Sequence, residues 1–164
     1  MAGFPRLSRP FFRRDAVTVA KALLGQRLVR VTAGGDRLAG LIVETEAYLG
    51  IEDAAAHTYG GRRTDRNESM YADGGHLYVY FTYGMHHCAN VVASTAGDPV
   101  AVLIRALEPV EGLALMWANR VAARRERDLC SGPAKLCAAM QLDRGDDGRD
   151  LCGDDRVWIE QVRR

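Results

Sequence analysis

Glu44, Glu46 and Tyr48 lie in the stretch Gly40-Leu-Ile-Val-Glu-Thr-Glu-Ala-Tyr-Leu-Gly50, and their spacing of two places them on one face of an extended strand. Ile42 shares that face, while Leu41, Val43, Ala47 and Leu49 take the other. The bland reading is an edge strand showing a solvated Glu-x-Glu pair to water, because glutamate is mostly exposed. A second segment shifts the balance. Val100-Ala-Val-Leu-Ile-Arg-Ala-Leu107 is an almost continuous apolar run, the pattern of a strand buried on both faces, and Arg105 interrupts it. A guanidinium stays charged, so burying it unpaired is costly, and Glu44 or Glu46 on a neighbouring strand is the expected partner. A carboxylate kept ionised in this way can orient and deprotonate water, or steady a cationic sugar transition state. Those are the two tasks of glycosidic bond cleavage.

Planar side chains accompany the acids. His76-Leu-Tyr-Val-Tyr-Phe-Thr-Tyr83 alternates, with Leu77, Val79 and Phe81 on one face and Tyr78, Tyr80 and Thr82 on the other. Gly84 breaks the pattern, and Met85 to Ser94 resumes it with Cys88, Asn90 and Val92 sharing a face. The two strands read as a hairpin whose tip is flanked by Tyr83 and Met85. Apolar groups there cost solvation unless something covers them. Oligomer packing would cover them, and so would insertion between DNA base pairs, where a side-chain wedge unstacks a step and bends the duplex. The remaining aromatic groups can sandwich a planar ring.

His57 falls in a polar, helix-poor stretch from Gly50 to Asp73 that also holds Gly60-Gly61, Arg62, Arg63 and Arg66. A loop of that length inside a compact domain is usually functional or disordered. His57 has an ordinary alternative as a satisfied surface histidine. Adjacent His86 and His87 point to opposite faces of a strand, and no His-Glu-x-x-His spacing offers a zinc site. A Gly-x-Ser-x-Gly elbow, a phosphate-binding loop and a dinucleotide fingerprint are likewise absent from the sequence. Cys88, Cys130, Cys137 and Cys152 contain no Cys-x-x-Cys pair, so neither a zinc knuckle nor a redox pair is expected. Reduced thiols then fit the cytoplasm, and no metal or cofactor is implied.

At 164 residues the chain suits a single domain, 1–164, that buries roughly two-thirds of its unfolded surface. The sequence has no apolar run of about 18 residues, so no membrane span is expected. Met1-Ala-Gly-Phe-Pro-Arg6 lacks an apolar stretch after a basic one, so no secretory signal is expected. A net charge of +1 gives no global pull toward nucleic acid. Apart from Lys21 and Lys135, however, every basic residue is arginine, clustered at Arg62 to Arg66, Arg120 to Arg127 and Arg163-Arg164. The planar guanidinium fork suits phosphate oxygens, although solvated helix faces in an Arg- and Ala-rich chain explain the clustering equally well.

The elements that must position these groups follow from local signals. Arg6 to Arg14 reads as a basic, irregular lead-in, and residues 1–14 are assigned to it. Asp15 caps a helix through about Leu24 with Val17, Ala20, Leu23 and Leu24 as its buried stripe, and Gly25 stops it. Leu28 to Val31 is a short strand, turned by Gly34-Gly35-Asp36 into the strand that bears the acids. Pro109 starts a helix with Leu113, Leu115, Met116 and Val121, ending in Arg124 to Arg127. Ser131-Gly-Pro133 opens a short helix through Met140, whose N-terminus with Ser131, Gly132 and Lys135 is either a phosphate cradle or simply a capped helix. Arg149 to Leu151 and Arg156 to Ile159 are short closing segments, and no internal repeat is present.

In order and spacing, several motifs resemble one family. They are Val43-Glu-Thr-Glu-Ala-Tyr-Leu-Gly50, His57 with Gly60-Gly61-Arg62, Leu77-Tyr-Val-Tyr80, Tyr83-Gly-Met85, Cys88-Ala-Asn90, Val102-Leu-Ile-Arg-Ala-Leu-Glu-Pro109 and Leu129-Cys-Ser-Gly-Pro-Ala-Lys-Leu-Cys137. Together they are similar to the alkyladenine (3-methyladenine) DNA glycosylases of the mammalian type, from about Leu38 to Trp158. The fold expected is α+β, a single domain with a mainly antiparallel curved β-sheet, flanking helices and a protruding β-hairpin. The resemblance implies a monofunctional base-excision-repair enzyme without lyase activity, which flips alkylated or deaminated purines (3-methyladenine, hypoxanthine, ethenoadenine class) from the duplex and hydrolyses the N-glycosidic bond. It implies that Glu46 activates water with Arg105 positioning both, and that Tyr48 stacks on one side of the base with His57 and Tyr80 on the other. Asn90 would crowd out the exocyclic amine of guanine, while Tyr83, with Met85 beside it, fills the gap in the duplex. Arg62, Arg63, Ser131, Gly132 and Lys135 are the expected contacts to the DNA backbone.

The partner expected is double-stranded DNA containing damaged purines, bound by a monomer with no membrane association, in the bacterial cytoplasm or, in a eukaryote, the nucleus. Tyr59 and the His86-His87 pair depart from the family pattern, and the linker from Met116 to Leu129 is short. Relatives continue past the position of Arg164 through a segment with a Pro-Trp-Arg-Phe-like ending, which this sequence does not include. Two other readings stay open: a non-catalytic module that binds lesion DNA, and a hydrolase of small nucleosides.

Overall fold

The computed structural model describes residues 3–162. Met1-Ala2 and the basic pair Arg163-Arg164 lie outside the described residues. The chain forms an α+β single domain around a six-stranded antiparallel sheet in the order β3-β4-β5-β2-β1-β6. The strands are β1 (Arg27–Val31), β2 (Arg37–Tyr48), β3 (Leu77–Thr82), β4 (His86–Ala93), β5 (Val100–Glu111) and β6 (Val157–Glu160). The helices are α1 (Arg9–Phe12), α2 (Ala16–Leu23), α3 (Leu113–Asn119) and α4 (Pro133–Met140). One face of the sheet, with Leu28, Ile42, Leu77, Val91, Val102 and Ile104 fully buried, packs on Phe12, Leu23, Met116, Leu136 and Met140 from the helices. This is the main core. The opposite face is left for chemistry.

The alternation of β3 and the cap of α2 follow the sequence closely. Asp15 accepts from the Thr18 amide at 2.9 Å and so satisfies a free N–H of the first turn. Gly25 sits at φ +85°, which ends the helix. The buried stripe differs from expectation, because the helix starts at Ala16 and presents Ala16, Val19, Ala20 and Leu23 inward. Val17 is 42 % exposed, and Leu24 is already extended beyond the helix end.

Three further expectations are corrected by long-range pairing. Residues Arg6 to Arg14 are not an irregular lead-in: Arg6 bridges Glu160, the Leu7 amide donates to Ile159 O, and α1 buries Phe12 completely. Pro109 does not start a helix. It remains in β5 opposite Gly40 at a register irregularity, a position where the missing N–H is tolerated. Gly112, at φ +76°, makes the turn instead, and Val121 stands 91 % exposed beyond α3. Last, β2 does not alternate strictly, because a bulge spans Ile42 to Thr45. It sends Ile42 into the core and leaves Val43 half exposed, while Thr45 donates to Ala20 O and Ala47 packs on the core.

Candidate active site

Strand register builds the site. Tyr78 lies opposite Asn90, Asn90 opposite Leu103, and Leu103 opposite Glu46, so one row across β3, β4, β5 and β2 faces away from the core. Parallel to it, Val92 pairs with Ala101 and Ala101 with Tyr48, while Tyr80 pairs with Cys88. Leu103 and Ala101 form an apolar floor with almost no exposure. Glu46 and Tyr48 stand on one flank of that floor, Tyr78 and Tyr80 on the other.

Arg105 links the acids. Its Nε donates to Glu44 Oε1 at 2.8 Å and its Nη1 to Glu46 Oε2 at 2.9 Å. The sequence suggested a buried guanidinium with one partner; the structure shows a side chain 36 % exposed with two. The register irregularity is the reason: Glu44 pairs with Ala106 and Thr45 with Ile104, which leaves Arg105 without a cross-strand partner, and its guanidinium reaches both acids on the open face. Exposed ion pairs each contribute less than about 1 kcal/mol, so the arrangement serves orientation more than stability.

A loop closes the pocket from above. It runs from β2 to β3 through three short 3-10 turns, Gly50–Glu52, Tyr59–Gly61 and Glu68–Tyr71. Buried Asn67 staples it, donating to His57 O at 3.2 Å and Arg62 O at 3.0 Å and accepting from the Thr64 amide at 2.8 Å. Tyr48, Ala55, His57, Met70, Tyr78, Tyr80 and Asn90 line a cavity of about 90 Å³. His57 Nδ1 lies 2.8 Å from the Tyr78 hydroxyl, and its ring meets Tyr80 edge-on at 4.3 Å. Asn90 is 2 % exposed and donates to Tyr78 O.

The electrostatics keep the walls neutral. Burial, then the neighbouring Glu46, pushes the Tyr48 phenol up to about 12. Burial also lifts Tyr78 to about 12, and Tyr80 is raised by burial and Cys88. His57 is held below its usual value by burial and by Arg66. The pocket thus presents uncharged ring faces to one side and the Glu46–Arg105 pair to the other, an arrangement that can hold a planar base and place a water at its sugar bond.

At the end of the β3–β4 hairpin, Tyr83 is 89 % exposed and Met85 69 %. Tyr83 and Gly84 have φ of +53° and +66°, left-handed backbone in the loop between Thr82 and His86. A tyrosine in that conformation is strained by about 1 kcal/mol, where glycine or asparagine would be at ease.

The family model for Methylpurine-DNA glycosylase (MPG) matches residues 10–164. The chain belongs to this family. It is 53 % identical over 163 residues to the DNA-3-methyladenine glycosylase of Mus musculus, covering 94 % of this chain and 48 % of that one. The Homo sapiens DNA-3-methyladenine glycosylase is 50 % identical over 164 residues, covering 95 % of this chain and 54 % of the human one. The putative 3-methyladenine DNA glycosylase of Clostridium acetobutylicum is 47 % identical over 163 residues, 95 % of this chain and 78 % of its own. The chain thus spans about half the length of the mammalian glycosylases it matches.

Of the residues singled out in the sequence, Glu46, Arg105, Tyr48, His57, Tyr80 and Asn90 converge on this pocket and its rim, with Tyr83 and Met85 on the hairpin that extends from β3 and β4. The expected backbone contacts divide. Arg63 is already engaged by Glu68 at 2.6 Å and lies over the Tyr71 ring. Arg62 lines a second cavity with Thr64, Arg66 and Thr82, next to the pocket. Ser131 lines a groove with Val43 and Arg127, while Gly132 is the N-cap of α4 and Lys135 is exposed. Tyr78, Met70, Ala55 and Asn67 went unassigned in the sequence. Tyr78 could have been found from the same alternation that gives Tyr80, whereas Asn67 carries no local signal. Among the described residues no helix is long and apolar enough to cross a membrane, and no group of three or more His, Cys, Asp or Glu is placed to hold a metal ion.

Proposed function

We propose that the protein is a base-excision-repair DNA glycosylase that extrudes an alkylated or deaminated purine from duplex DNA and hydrolyses its N-glycosidic bond. The 3-methyladenine, hypoxanthine and ethenoadenine class is the intended substrate range. The observation that carries this reading is the cross-strand row that sets Glu46, held by Arg105, at the rim of a neutral aromatic pocket. The names of the relatives agree with it.

In this mechanism Tyr48 stacks on one face of the extruded base, with His57 and Tyr80 against the other. Asn90, buried at the pocket floor, leaves no room for the exocyclic amine of guanine. Tyr83, supported by Met85, takes the vacated space in the duplex, which offsets part of the few kcal/mol that unstacking costs. Glu46 accepts a proton from a water as its oxygen bonds to C1′, and the C1′–N bond breaks with its electrons leaving on the base. Arg105 keeps the carboxylate aimed through the Nη1 hydrogen bond. Arg62, Ser131, Gly132 and Lys135 flank the site for backbone contacts, and Arg63 joins them only by releasing Glu68. In this reading water activated by Glu46 is the nucleophile at C1′, so the reaction is monofunctional hydrolysis that leaves the strand unnicked. It works as a monomer on damaged duplex and needs no cofactor.

Release of free hypoxanthine or alkylated adenine from a duplex tests the reading. Glu46→Gln is expected to slow release by about 10²- to 10⁴-fold, the usual contribution of a general base. Equal rates for the two proteins would overturn the mechanism. Tight lesion binding without release by the wild type would favour a binding module, and turnover of free nucleosides would favour a small-nucleoside hydrolase.

A further inference from the structure

His57, Asn67, Arg66 and Phe81 form an unbroken line from the pocket wall to the hairpin. Asn67 fixes the wall through the His57 and Arg62 carbonyls. Arg66, its neighbour in the chain, reaches out of the loop and donates from Nη2 to Phe81 O at 2.7 Å. Phe81 stands two residues before Tyr83. Nearer the body, the outer edge of β3 is tied at Leu77 by the 148–149 backbone and at Val79 by Asp147 and Arg144. Among the described residues the Arg66 bond is the last such tie before the tip. The same guanidinium is close enough to His57 to hold its pKa down, second only to burial. No carboxylate among the described residues pairs with Arg66, so its reach is not set by an ion pair.

We propose that Arg66 is a positioning residue that clamps the wedge hairpin to the pocket wall, so that entry of Tyr83 into the duplex and closure of His57 on the extruded base occur as one movement. This rests on the glycosylase reading above. Arg66 spans the two segments that contact opposite ends of the event, and the carbonyl it holds lies on the strand that carries the tip. A contiguous contact line becomes coupling only when the two ends respond together, which a double-mutant cycle measures. A plain phosphate contact makes a different forecast: uniform loss of affinity on damaged and undamaged DNA, with the salt slope reduced by about one.

Two measurements on Arg66→Gln decide between them. In the free protein, hydrogen exchange at the amides of residues 82–87 is expected to quicken by about tenfold while exchange in the core strands is unchanged. On a hypoxanthine duplex, Tyr83→Ala is expected to weaken binding about tenfold in the wild-type background but about twofold or less in Arg66→Gln. The salt dependence on undamaged duplex should not change. Unaltered hairpin exchange overturns the proposal, as do additive penalties with a salt slope lower by about one, which leave Arg66 as a phosphate contact only. Should the wild type show no preference for the lesion, the glycosylase reading fails, and the exchange measurement still decides the clamp by itself.

Discussion

His57 is the side chain whose charge state bears most directly on the pocket. Burial and the nearby Arg66 charge depress its pKa from the ordinary 6.5, so the fold favours the neutral ring. The sign follows: stability from this group is fully present above about pH 6.5 and is lost as pH falls through the lower folded value. Denaturation midpoints should therefore decline between pH 7 and pH 5, and His57→Gln should flatten that decline while leaving the loss at lower pH, which belongs to carboxylates. An identical slope in the two proteins would show that His57 is not the group responsible. Lesion affinity should fall over the same interval, since protonation puts a charge on the ring that packs against Tyr78 and Tyr80 and, in the proposed reading, against the base. At this scale the sequence was informative where residue type alone demands a partner. Arg105 required a carboxylate and has two. That it is partly exposed was not legible, because exposure depends on a bulge formed between strands separated by more than 50 residues.

Elements show the same division between near and distant causes. The Asp15 cap, the Gly25 stop and the alternation of β3 depend on neighbours in the chain, and each was readable. The position of Pro109 and the docking of the first residues were not, because pairing of β2 with β5 and of Arg6 with Glu160 overrides local propensity. The N-terminal segment gives the clearest test. Phe12 comes from a helix of four residues, yet it is fully buried in the main core. Phe12→Ala should destabilise the protein by about 3–5 kcal/mol in urea denaturation, the usual cost of emptying a buried aromatic site. A truly irregular lead-in would register almost nothing. The pocket loop was the least legible element, as its shape rests on one buried asparagine and three single turns rather than on any periodic pattern.

The whole molecule carries almost no net charge, yet Arg62, Arg105 and Arg127 border the open face or the grooves beside it. Affinity for undamaged duplex should therefore fall linearly with the logarithm of salt concentration, with a slope set by the few phosphates contacted. Binding that ignores salt between about 50 and 200 mM would count against a DNA-facing surface. Lesion preference should survive that range better, because stacking in a neutral pocket is not screened. The outer edge of β3 has a consequence of another kind. Asp147 and Arg144 occupy the Val79 amide and carbonyl, residues 148–149 occupy Leu77, and Arg66 occupies the Phe81 carbonyl. A sheet edge next to an exposed aromatic tip is an invitation to stack with a second copy, strand on strand. Here side chains and the 148–149 backbone stand where that intruding strand would bond, which disfavours self-pairing beside the exposed Tyr83 and Met85. Asp147→Ala should reopen the edge, and light scattering during storage would reveal it before any assay of DNA did.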